Sequence, residues 1–413
     1  MAAAKADRIV IVGGGQAGAQ TAFSLRGWGF EGPITLIGDE PAPPYQRPPL
    51  SKAFLKGEMP EERLYFKPET WYAESGVDLV LSTRVTAINR SQGTISLERG
   101  DAVGYDHLVL ATGSRPRPLP VPGANLENVF ELRSLEDVER LAPHMQPGRR
   151  LVIVGAGYIG LEAAAVARQM GLDVTVLEMA ERVLARVTSP LMSEFYEGEH
   201  RAQGVDIRTN ARLEALHGEA GAVKTAQLAD GEQIPADIVL VGIGILPNDD
   251  LAKEAGLACR NGIFVDRDGR TNDARIHAAG DCAHRPLVHY GRSGRLESVH
   301  NAIEQGKLIA ADLLGRDRPP EDTPWFWSDQ YDLKLQIAGL SAGYDEIVVR
   351  GDPAERKFAA FYLADGRLIS VDAVNSAPEF LASKRLIAMG AKVAPERLSD
   401  MSITMKEIAA SAA

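Results

Sequence analysis

Cysteine is almost absent from this chain. Only Cys259 and Cys282 occur among its 413 residues, and their spacing matches no metal-binding motif. Disulfide frameworks, zinc sites and intrinsic iron–sulfur clusters all need several cysteines at characteristic spacings. The sequence therefore argues against all three, and we expect no metal site built by this chain.

Long apolar runs and an excess of positive charge are also missing. No segment approaches the roughly 18–20 apolar residues that a membrane-spanning helix needs, and Met1–Asp7 leads directly into a strand without room for a signal peptide. The net charge of −11 disfavours nucleic acid or an anionic membrane as a partner. We expect a cytoplasmic protein of two or three domains, present as a monomer or weak dimer.

Two glycine motifs of the form G-x-G-x-x-G are the strongest signals present. Each follows an apolar strand and precedes a helical pattern, which is the context of a dinucleotide-binding turn. Glycine permits the tight turn, the approach of backbone to a pyrophosphate, and close packing of helix on strand. The helix N-terminus then faces the phosphates. The motif glycines are Gly13, Gly15 and Gly18 in the first copy and Gly155, Gly157 and Gly160 in the second.

Carboxylates follow the next strand of each copy, where a ribose is expected. Asp39 and Glu40 lie about 20 residues past Gly18; either can hold the ribose, and we favour Asp39. Glu178 ends the matching strand of the second copy. There it would accept a hydrogen bond from the 2′-OH of NADH and repel the 2′-phosphate of NADPH. Arg186 and Arg182 lie nearby and either clamp the adenosine side of NADH or are solvated.

The arrangement of predicted elements indicates an α/β protein with two Rossmann-like domains. Strand 8–12, helix 16–28 and strand 34–37 form the first βαβ unit, and 151–178 repeats it. After Pro319–Pro324, three strands and a helix over about 346–389 predict a separate C-terminal α+β domain.

The order of the motifs resembles the two-dinucleotide flavoprotein reductases, which have a glutathione-reductase-like layout. Between and after the glycine motifs come Ala111-Thr112-Gly113 and Ala279-Gly280-Asp281. The resemblance implies an FAD-binding domain at 1–115 and 246–323, an NADH-binding domain at 116–245, and a C-terminal domain at 324–413. Asp281 would accept hydrogen bonds from the ribityl hydroxyls of FAD. Further contacts implied for the two cofactors are Ala111, Thr112, Gly113, Gly280, Ser298, Val299, Ile243 and Gly244.

Disulfide reductases of this layout carry a cysteine pair in the segment matching residues 40–60, and peroxidases and oxidases carry one cysteine there. This chain has none. Electrons must therefore leave the flavin for an acceptor outside the chain, and a flavin can take up a hydride and release the electrons singly.

Longer strings resemble the NADH-dependent ferredoxin reductases of bacterial oxygenase systems, the putidaredoxin reductase-like family. They are Arg47–Lys52, Tyr158–Glu162, Arg295–Val299 and Pro324–Tyr331. The resemblance implies that Lys52 lies at the flavin and pairs with Glu162, which would hold the nicotinamide amide, and that Arg47 contacts a cofactor. We expect Trp325–Trp327 to form a loop, from which Trp327 would lie at the flavin edge and shorten the electron path; packing between domains is the alternative.

The function that this resemblance implies is an FAD-dependent NADH:ferredoxin oxidoreductase that serves a [2Fe–2S] ferredoxin. Alternatives are an NADH reductase of small oxidants such as quinones, and a flavoprotein like apoptosis-inducing factor with a binding or signalling role. An acidic ferredoxin would need a local basic surface on this acidic chain. Candidate residues for that surface are Arg292, Arg295, Arg316, Arg318, Lys334, Lys384 and Arg385.

Overall fold

The computed structural model describes residues 3–4 and 6–411, and they form two compact units. The first unit contains residues up to Gln46, Glu61–Arg115 and Leu246–Asp322. The second contains Arg47–Pro60, Pro116–Ile245 and the chain from Thr323 onwards. Residues 47–60, within the segment that lacks cysteine, thus belong to the same unit as the second glycine motif.

The first unit is built on a parallel sheet of the Rossmann type. Its five strands, in spatial order, are Ile276–Ala278, His107–Leu110, Ile9–Val12, Ile34–Ile37 and Val77–Val80. Every residue of Ile9–Val12 and of His107–Leu110 is buried, as expected for central strands covered on both faces. The helices are Gln16–Gly27, Glu69–Glu74, Asp250–Glu254 and Val299–Leu313.

Smaller sheets complete this unit. One is antiparallel and contains Val85–Asn89, Thr94–Leu97 and Ala102–Gly104. The other contains Ile263–Phe264, Ala283–Leu287 and Arg292–Gly294. Short strands Ser114–Pro116 and Ile245–Pro247 lie where the chain passes from one unit to the other.

The second unit repeats the parallel design, as the internal repeat in the sequence predicts. Its five parallel strands are, in order, Asp206–Arg208, Asp173–Leu177, Arg150–Val154, Ile238–Val241 and Val129–Phe130. An antiparallel sheet follows with Leu213–Glu219, Ala222–Leu228 and Gln233–Pro235. The helices of this part are Leu135–Leu141, Tyr158–Gln169 and Pro190–Ala202.

The C-terminal part of the second unit is a five-stranded antiparallel sheet covered by helices. Its strands, in order, are Trp325–Gln330, Leu333–Gly339, Arg367–Val374, Lys357–Ala364 and Glu346–Asp352. The helices are Ala377–Ala388, Pro395–Ser399 and Met405–Ser411. The sequence predicted three of these strands and treated Trp325–Trp327 as a loop. That interpretation was wrong: the tryptophans lie on an edge strand, which pairs with Leu333–Gly339, and aromatic residues are enriched in strands.

The mixed α/β architecture is therefore confirmed. In the part of the chain that the structure describes, no helix combines the length and the apolar character needed to cross a membrane.

A buried carboxylate makes the stability of the second unit depend on pH. Asp372 is 1% exposed, and its Oδ2 accepts hydrogen bonds from Thr188 Oγ1 and, at 2.6 Å, from Tyr362 Oη. Burial raises the pKa of Asp372 to about 6, and the two hydroxyl donors only partly oppose this. Because the folded-state pKa lies above the unfolded value of about 3.9, the folded chain binds more protons between pH 4 and 6.

We predict that this residue's contribution to stability falls as pH rises through that window. The expected loss is at most about 1.4 kcal/mol per pH unit. Asp372→Asn has no proton to lose, and its amide oxygen can still accept from both hydroxyls. Thermal unfolding of both proteins from pH 4.5 to 8 should show that the stability of the variant relative to wild type rises with pH up to about 6, because the variant lacks the contribution that wild type loses there. Parallel profiles would contradict the assignment.

Candidate functional site

The first glycine motif folds into a tight turn between strand Ile9–Val12 and helix Gln16–Gly27. Gly13 has φ of +120°, and a Cβ there would lie 2.1 Å from Ala111 O, while one at Gly18 would lie 2.1 Å from Gly13 O. These two glycines are required by packing of the turn itself. A Cβ at Gly15 would meet no atom within 4 Å, and Gly15 gives the helix N-terminus no side-chain cap. The turn thus leaves space for a pyrophosphate at a helix N-terminus without a side-chain cap, which fits the FAD that the motif predicts.

Both candidate ribose carboxylates follow strand Ile34–Ile37, as predicted. Asp39 is exposed and lies 3.3 Å from Arg84 Nη2. Glu40 is partly buried and accepts a hydrogen bond from the Tyr45 hydroxyl. Glu40 is thus held in place by a buried ring, whereas Asp39 has only an exposed ion pair.

The remaining FAD candidates converge at the carboxyl ends of the first sheet. Thr112 Oγ1 donates to Asn248 O at 2.6 Å, and Asn248 Nδ2 returns a bond to Thr112 O at 2.9 Å. Gly113 and Gly280 both have positive φ, +67° and +81°. Ser114 Oγ donates to Asp281 Oδ2 at 2.8 Å. The Asp281 carboxylate is therefore oriented by the segment that follows Ala111-Thr112-Gly113.

Ser298 and Val299 mark the start of the long helix Val299–Leu313. Ser298 is the N-cap, and its hydroxyl accepts from Asn301 N at 3.2 Å. This capping hydrogen bond stabilises the helix end and fixes the direction of its N-terminus.

The second glycine motif has the same geometry as the first. A Cβ at Gly155 would lie 2.5 Å from Gly242 O and one at Gly160 2.1 Å from Gly155 O, whereas Gly157 again has nothing within 4 Å. Glu178 reaches the turn, where its carboxylate accepts from Ala156 N and Ala180 N, both at 2.8 Å. The structure therefore brings the carboxylate and the glycine turn together, as a dinucleotide site requires.

The two arginines near Glu178 have different surroundings. Arg186 is exposed, and its guanidinium lies against Gly244, where a Cβ would be 3.3 Å from Nη2. Arg182 donates to Thr188 O, Ala185 O and Ser193 Oγ. Arg182 therefore stabilises the loop to which it belongs. Arg186 lies beside Gly244, which follows half-buried Ile243 in the sequence.

A buried polar cluster surrounds Glu162 on helix Tyr158–Gln169. The side chain is 1% exposed, and Lys52 Nζ lies 2.5 Å from its Oε2. Ser51 Oγ donates to the same oxygen at 2.7 Å, and Ser328 Oγ donates to Oε1 at 2.7 Å. A carboxylate can accept about four hydrogen bonds, so the described donors leave one acceptor position. The pairing of Lys52 with Glu162 matches the expectation from sequence.

The two serines were not anticipated from sequence. Both lie inside strings that carry the family resemblance, but nothing in the strings assigns them a partner. Period-2 alternation on strand Trp325–Gln330 places Ser328 on the face opposite Trp327, and that signal could have identified it.

Arg47 and Trp327 lie in the second unit with this cluster. Arg47 Nη1 donates to Arg133 O at 2.6 Å. Trp327 is half-buried, and its ring centroid lies 5.5 Å from that of Trp325. Trp325 in turn packs edge-on against Phe380 and under Lys384 Nζ. Trp325 is thus a packing residue of the C-terminal sheet.

The candidate basic surface residues are not equivalent. Arg295 is an exception to the expected surface position, because its side chain is 8% exposed and donates to Asp281 O. Arg318 bonds to Arg267 O, and Arg316 bonds to Trp28 O. Arg292, Lys334 and Arg385 are exposed.

Comparisons with known proteins agree with this geometry. The family model for pyridine nucleotide-disulphide oxidoreductase matches residues 7–306, and the model for the reductase C-terminal domain matches residues 325–409. Putidaredoxin reductase of Pseudomonas putida is 47% identical over 98% of this chain and 97% of its own. Rhodocoxin reductase of Rhodococcus erythropolis is 44% identical over 96% and 93%.

Solved structures of related reductases have the same fold as this chain. The reductase in the crystal structure of a covalent putidaredoxin reductase–putidaredoxin complex superposes with a TM-score of 0.97 at 46% identity, over 98% of this chain and 99% of that one. A ferredoxin reductase from Rhodopseudomonas palustris gives 0.95 at 43% identity, over 98% and 100%. The chain therefore belongs to the pyridine nucleotide-disulphide oxidoreductase family and, within it, to the putidaredoxin reductase-like ferredoxin reductases, which are FAD- and NAD(H)-dependent enzymes.

Proposed function

We propose that this protein oxidises NADH and reduces a [2Fe–2S] ferredoxin of a bacterial oxygenase system in the cytoplasm. One NADH gives up a hydride and becomes NAD⁺; two oxidised ferredoxins each gain one electron, and one proton is released. Bound FAD supplies the conversion between a two-electron and a one-electron donor. The names of the relatives, including the solved complex of putidaredoxin reductase with putidaredoxin, support a ferredoxin as the acceptor.

The observation that carries the proposal is the Lys52–Glu162 pair in a chain without a cysteine at 40–60. A cysteine in that segment would accept electrons within the protein. Here the same segment instead supplies Ser51 and Lys52, which hold a buried carboxylate on the helix of the second glycine motif. Its remaining acceptor position suits the carboxamide N–H of a nicotinamide, and Lys52 would offset the negative charge on reduced flavin.

The FAD is assigned to the first unit. Gly13, Gly15 and Gly18 form the pyrophosphate turn, Asp39 or Glu40 would hold the adenosine ribose, and Asp281 the ribityl chain. Supporting positions are Ala111, Thr112, Gly113, Gly280, Ser298 and Val299. Arg47, which belongs to the second unit, stays a predicted cofactor contact. We propose domain limits of 1–115 with 246–323 for FAD, 116–245 for NADH, and 324–413 for the C-terminal domain.

NADH is assigned to the second glycine motif. Gly155, Gly157 and Gly160 would receive its pyrophosphate, Glu178 the adenosine 2′-OH, and Arg186, Ile243 and Gly244 would border it. Trp327 and the exposed Arg292, Lys334 and Arg385 would serve the ferredoxin side, because surface cations attract an acidic partner.

The coenzyme assignment predicts that preference depends on Glu178. A double substitution, Glu178→Gln with Met179→Arg, removes the carboxylate and adds a cation at a side chain that is 73% exposed. The ratio of kcat/KM for NADPH to that for NADH should rise by about 10–100-fold, because a guanidinium pairs with the 2′-phosphate. Met179→Arg alone is the control and should shift the ratio less. A wild-type enzyme that already prefers NADPH would contradict the role of Glu178.

Turnover with alternative acceptors tests the proposed function. Purified holoenzyme and NADH are assayed anaerobically with a [2Fe–2S] ferredoxin and with a soluble quinone. We expect the higher kcat/KM with ferredoxin, and a decrease with added salt because exposed attraction is screened over about 8–10 Å. Greater efficiency with quinone would favour a small-oxidant reductase. Slow flavin reduction with a long-lived NADH charge-transfer band would favour a signalling flavoprotein.

A further inference from the structure

A continuous buried hydrogen-bond chain runs from Glu162 into the second unit. Ser328 Oγ donates to Glu162 Oε1 at 2.7 Å, and Gln330 Nε2 lies 3.1 Å from Ser328 Oγ. Gln330 Oε1 lies 2.8 Å from His200 Nε2, and the Tyr331 hydroxyl lies 3.0 Å from His200 Nδ1. Ser328, Gln330 and His200 are each at most 1% exposed, so these groups depend on one another for hydrogen bonds.

The donor and acceptor in each hydrogen bond of this chain follow from the carboxylate of Glu162 at its end. The Glu162 carboxylate only accepts, so the single proton of Ser328 is committed to it. Ser328 Oγ must then accept from the amide nitrogen of Gln330, which turns the amide oxygen toward His200. That oxygen only accepts, so His200 Nε2 carries a proton.

The protonation state of His200 determines the remaining hydrogen bond, with Tyr331. Burial lowers the pKa of His200 to about 4, against the opposing effect of the Gln330 hydrogen bond. The imidazole is therefore neutral near pH 7, and with Nε2 protonated its Nδ1 accepts from the Tyr331 hydroxyl. From Tyr331 to Glu162 all donors point toward the carboxylate.

The backbone holds this chain in register. Phe326 and Ser328 share one face of strand Trp325–Gln330, and Tyr158 and Glu162 share one face of the helix. The Tyr158 and Phe326 rings have centroids 5.1 Å apart, one step along from the Ser328–Glu162 bond. Strand and helix therefore match over two successive contacts, which fixes the direction from which Ser328 reaches the carboxylate.

We infer that Ser328, Gln330 and His200 are positioning residues for hydride transfer, which act by fixing the rotamer of Glu162 and leaving its remaining acceptor position directed at the nicotinamide. This rests on the proposed role of Glu162. Without the Ser328 hydroxyl, Oε1 loses the donor that opposes the pull of Lys52 and Ser51 on Oε2. The carboxylate can then rotate, and misplacement of a cofactor contact by about 1 Å can cost on the order of 100-fold in rate.

Substitution of Ser328 with a matched control tests the inference. Ser370 is an equally buried serine of the same sheet, whose hydroxyl donates at 2.9 Å to the backbone oxygen of Ala338 instead. Ser328→Ala and Ser370→Ala each remove one buried hydroxyl and should lower Tm similarly. Rapid mixing of each holoenzyme with NADH should show flavin reduction at least 10-fold slower for Ser328→Ala and within twofold of wild type for Ser370→Ala. Ser328→Thr keeps the hydroxyl on a residue suited to strands and should recover most of the rate.

A second readout is independent of turnover. In ¹⁵N-histidine-labelled holoenzyme at pH 7, the signal lost in His200→Gln should have the nitrogen shifts of a neutral ring protonated at Nε2. Protonation at Nδ1, or equal flavin reduction rates for Ser328→Ala and Ser370→Ala, would overturn the inference. Failure of wild type to transfer electrons from NADH would instead overturn the proposed function and leave the histidine result standing.

Discussion

Glu162→Gln is expected to slow reduction of the flavin by NADH by about 100-fold while the FAD stays bound. The substitution keeps the shape of the side chain but replaces one acceptor oxygen with an NH₂ donor. In wild type, three donors converge on the two oxygens of Glu162. A glutamine oxygen can satisfy two of them, and its NH₂ group would then face the third donor. The NH₂ group also replaces the acceptor position that would face the nicotinamide, and Lys52, 19% exposed, loses its counter-charge. A 100-fold effect corresponds to about 2.7 kcal/mol in the barrier.

Asp372→Asn is the matched control for this prediction. Asp372 is also a carboxylate of the second unit at 1% exposure that accepts hydroxyl hydrogen bonds, but it lies outside the Glu162 cluster. Stopped-flow reduction by NADH should be slow in Glu162→Gln alone, with the flavin absorbance before mixing unchanged in both variants. A wild-type rate for Glu162→Gln would show that the carboxylate does not act in hydride transfer.

Substitutions of the two turn glycines with open surroundings should affect the binding of the two cofactors separately. Gly15 and Gly157 both have extended backbone, φ −85° and ψ −170° for one, φ −80° and ψ 180° for the other. Alanine can adopt this conformation, and its Cβ would meet no protein atom within 4 Å at either position. Each substitution should therefore spare the fold, yet place a methyl group where the backbone must approach a pyrophosphate.

Gly15→Ala should reduce FAD content well below one per chain and raise the FAD dissociation constant by about 10–100-fold, the effect of 1–3 kcal/mol of overpacking. Gly157→Ala should keep about one FAD per chain and raise KM for NADH by a similar factor. Flavin content after gel filtration and NADH titrations measure both effects, and each variant serves as the control for the other. Loss of FAD in Gly157→Ala, or none in Gly15→Ala, would reverse the assignment of the motifs.

Much of the architecture could be predicted because its determinants are local. Apolar strands, the glycine turns and the carboxylates after the second strands lie within short segments, so the sequence alone could place Glu178 at the end of its strand. The edge strand Trp325–Gln330 was missed because aromatic residues suit both a packing loop and a strand, and only its pairing with Leu333–Gly339 decides between them.

The resemblance predicted the pairing of Lys52 with Glu162, but the further hydrogen bonds around Glu162 could not be predicted. Ser51, Ser328 and His200 come from distant parts of the chain, and only the folded unit shows that both serines donate to Glu162 and that His200 is linked to Ser328 through Gln330. Arg295 was misplaced on the surface for the same reason, since its acceptor Asp281 O belongs to a separate segment.

The most direct test of electron transfer from NADH to ferredoxin is its stoichiometry. Catalytic holoenzyme is mixed anaerobically with a limiting amount of NADH and an excess of oxidised [2Fe–2S] ferredoxin, and absorbance changes of both are followed to completion. We predict two ferredoxins reduced for each NADH oxidised, at a rate that depends on enzyme concentration. NADH consumption without ferredoxin reduction, or ferredoxin reduction no faster than in the absence of enzyme, would contradict the proposed function.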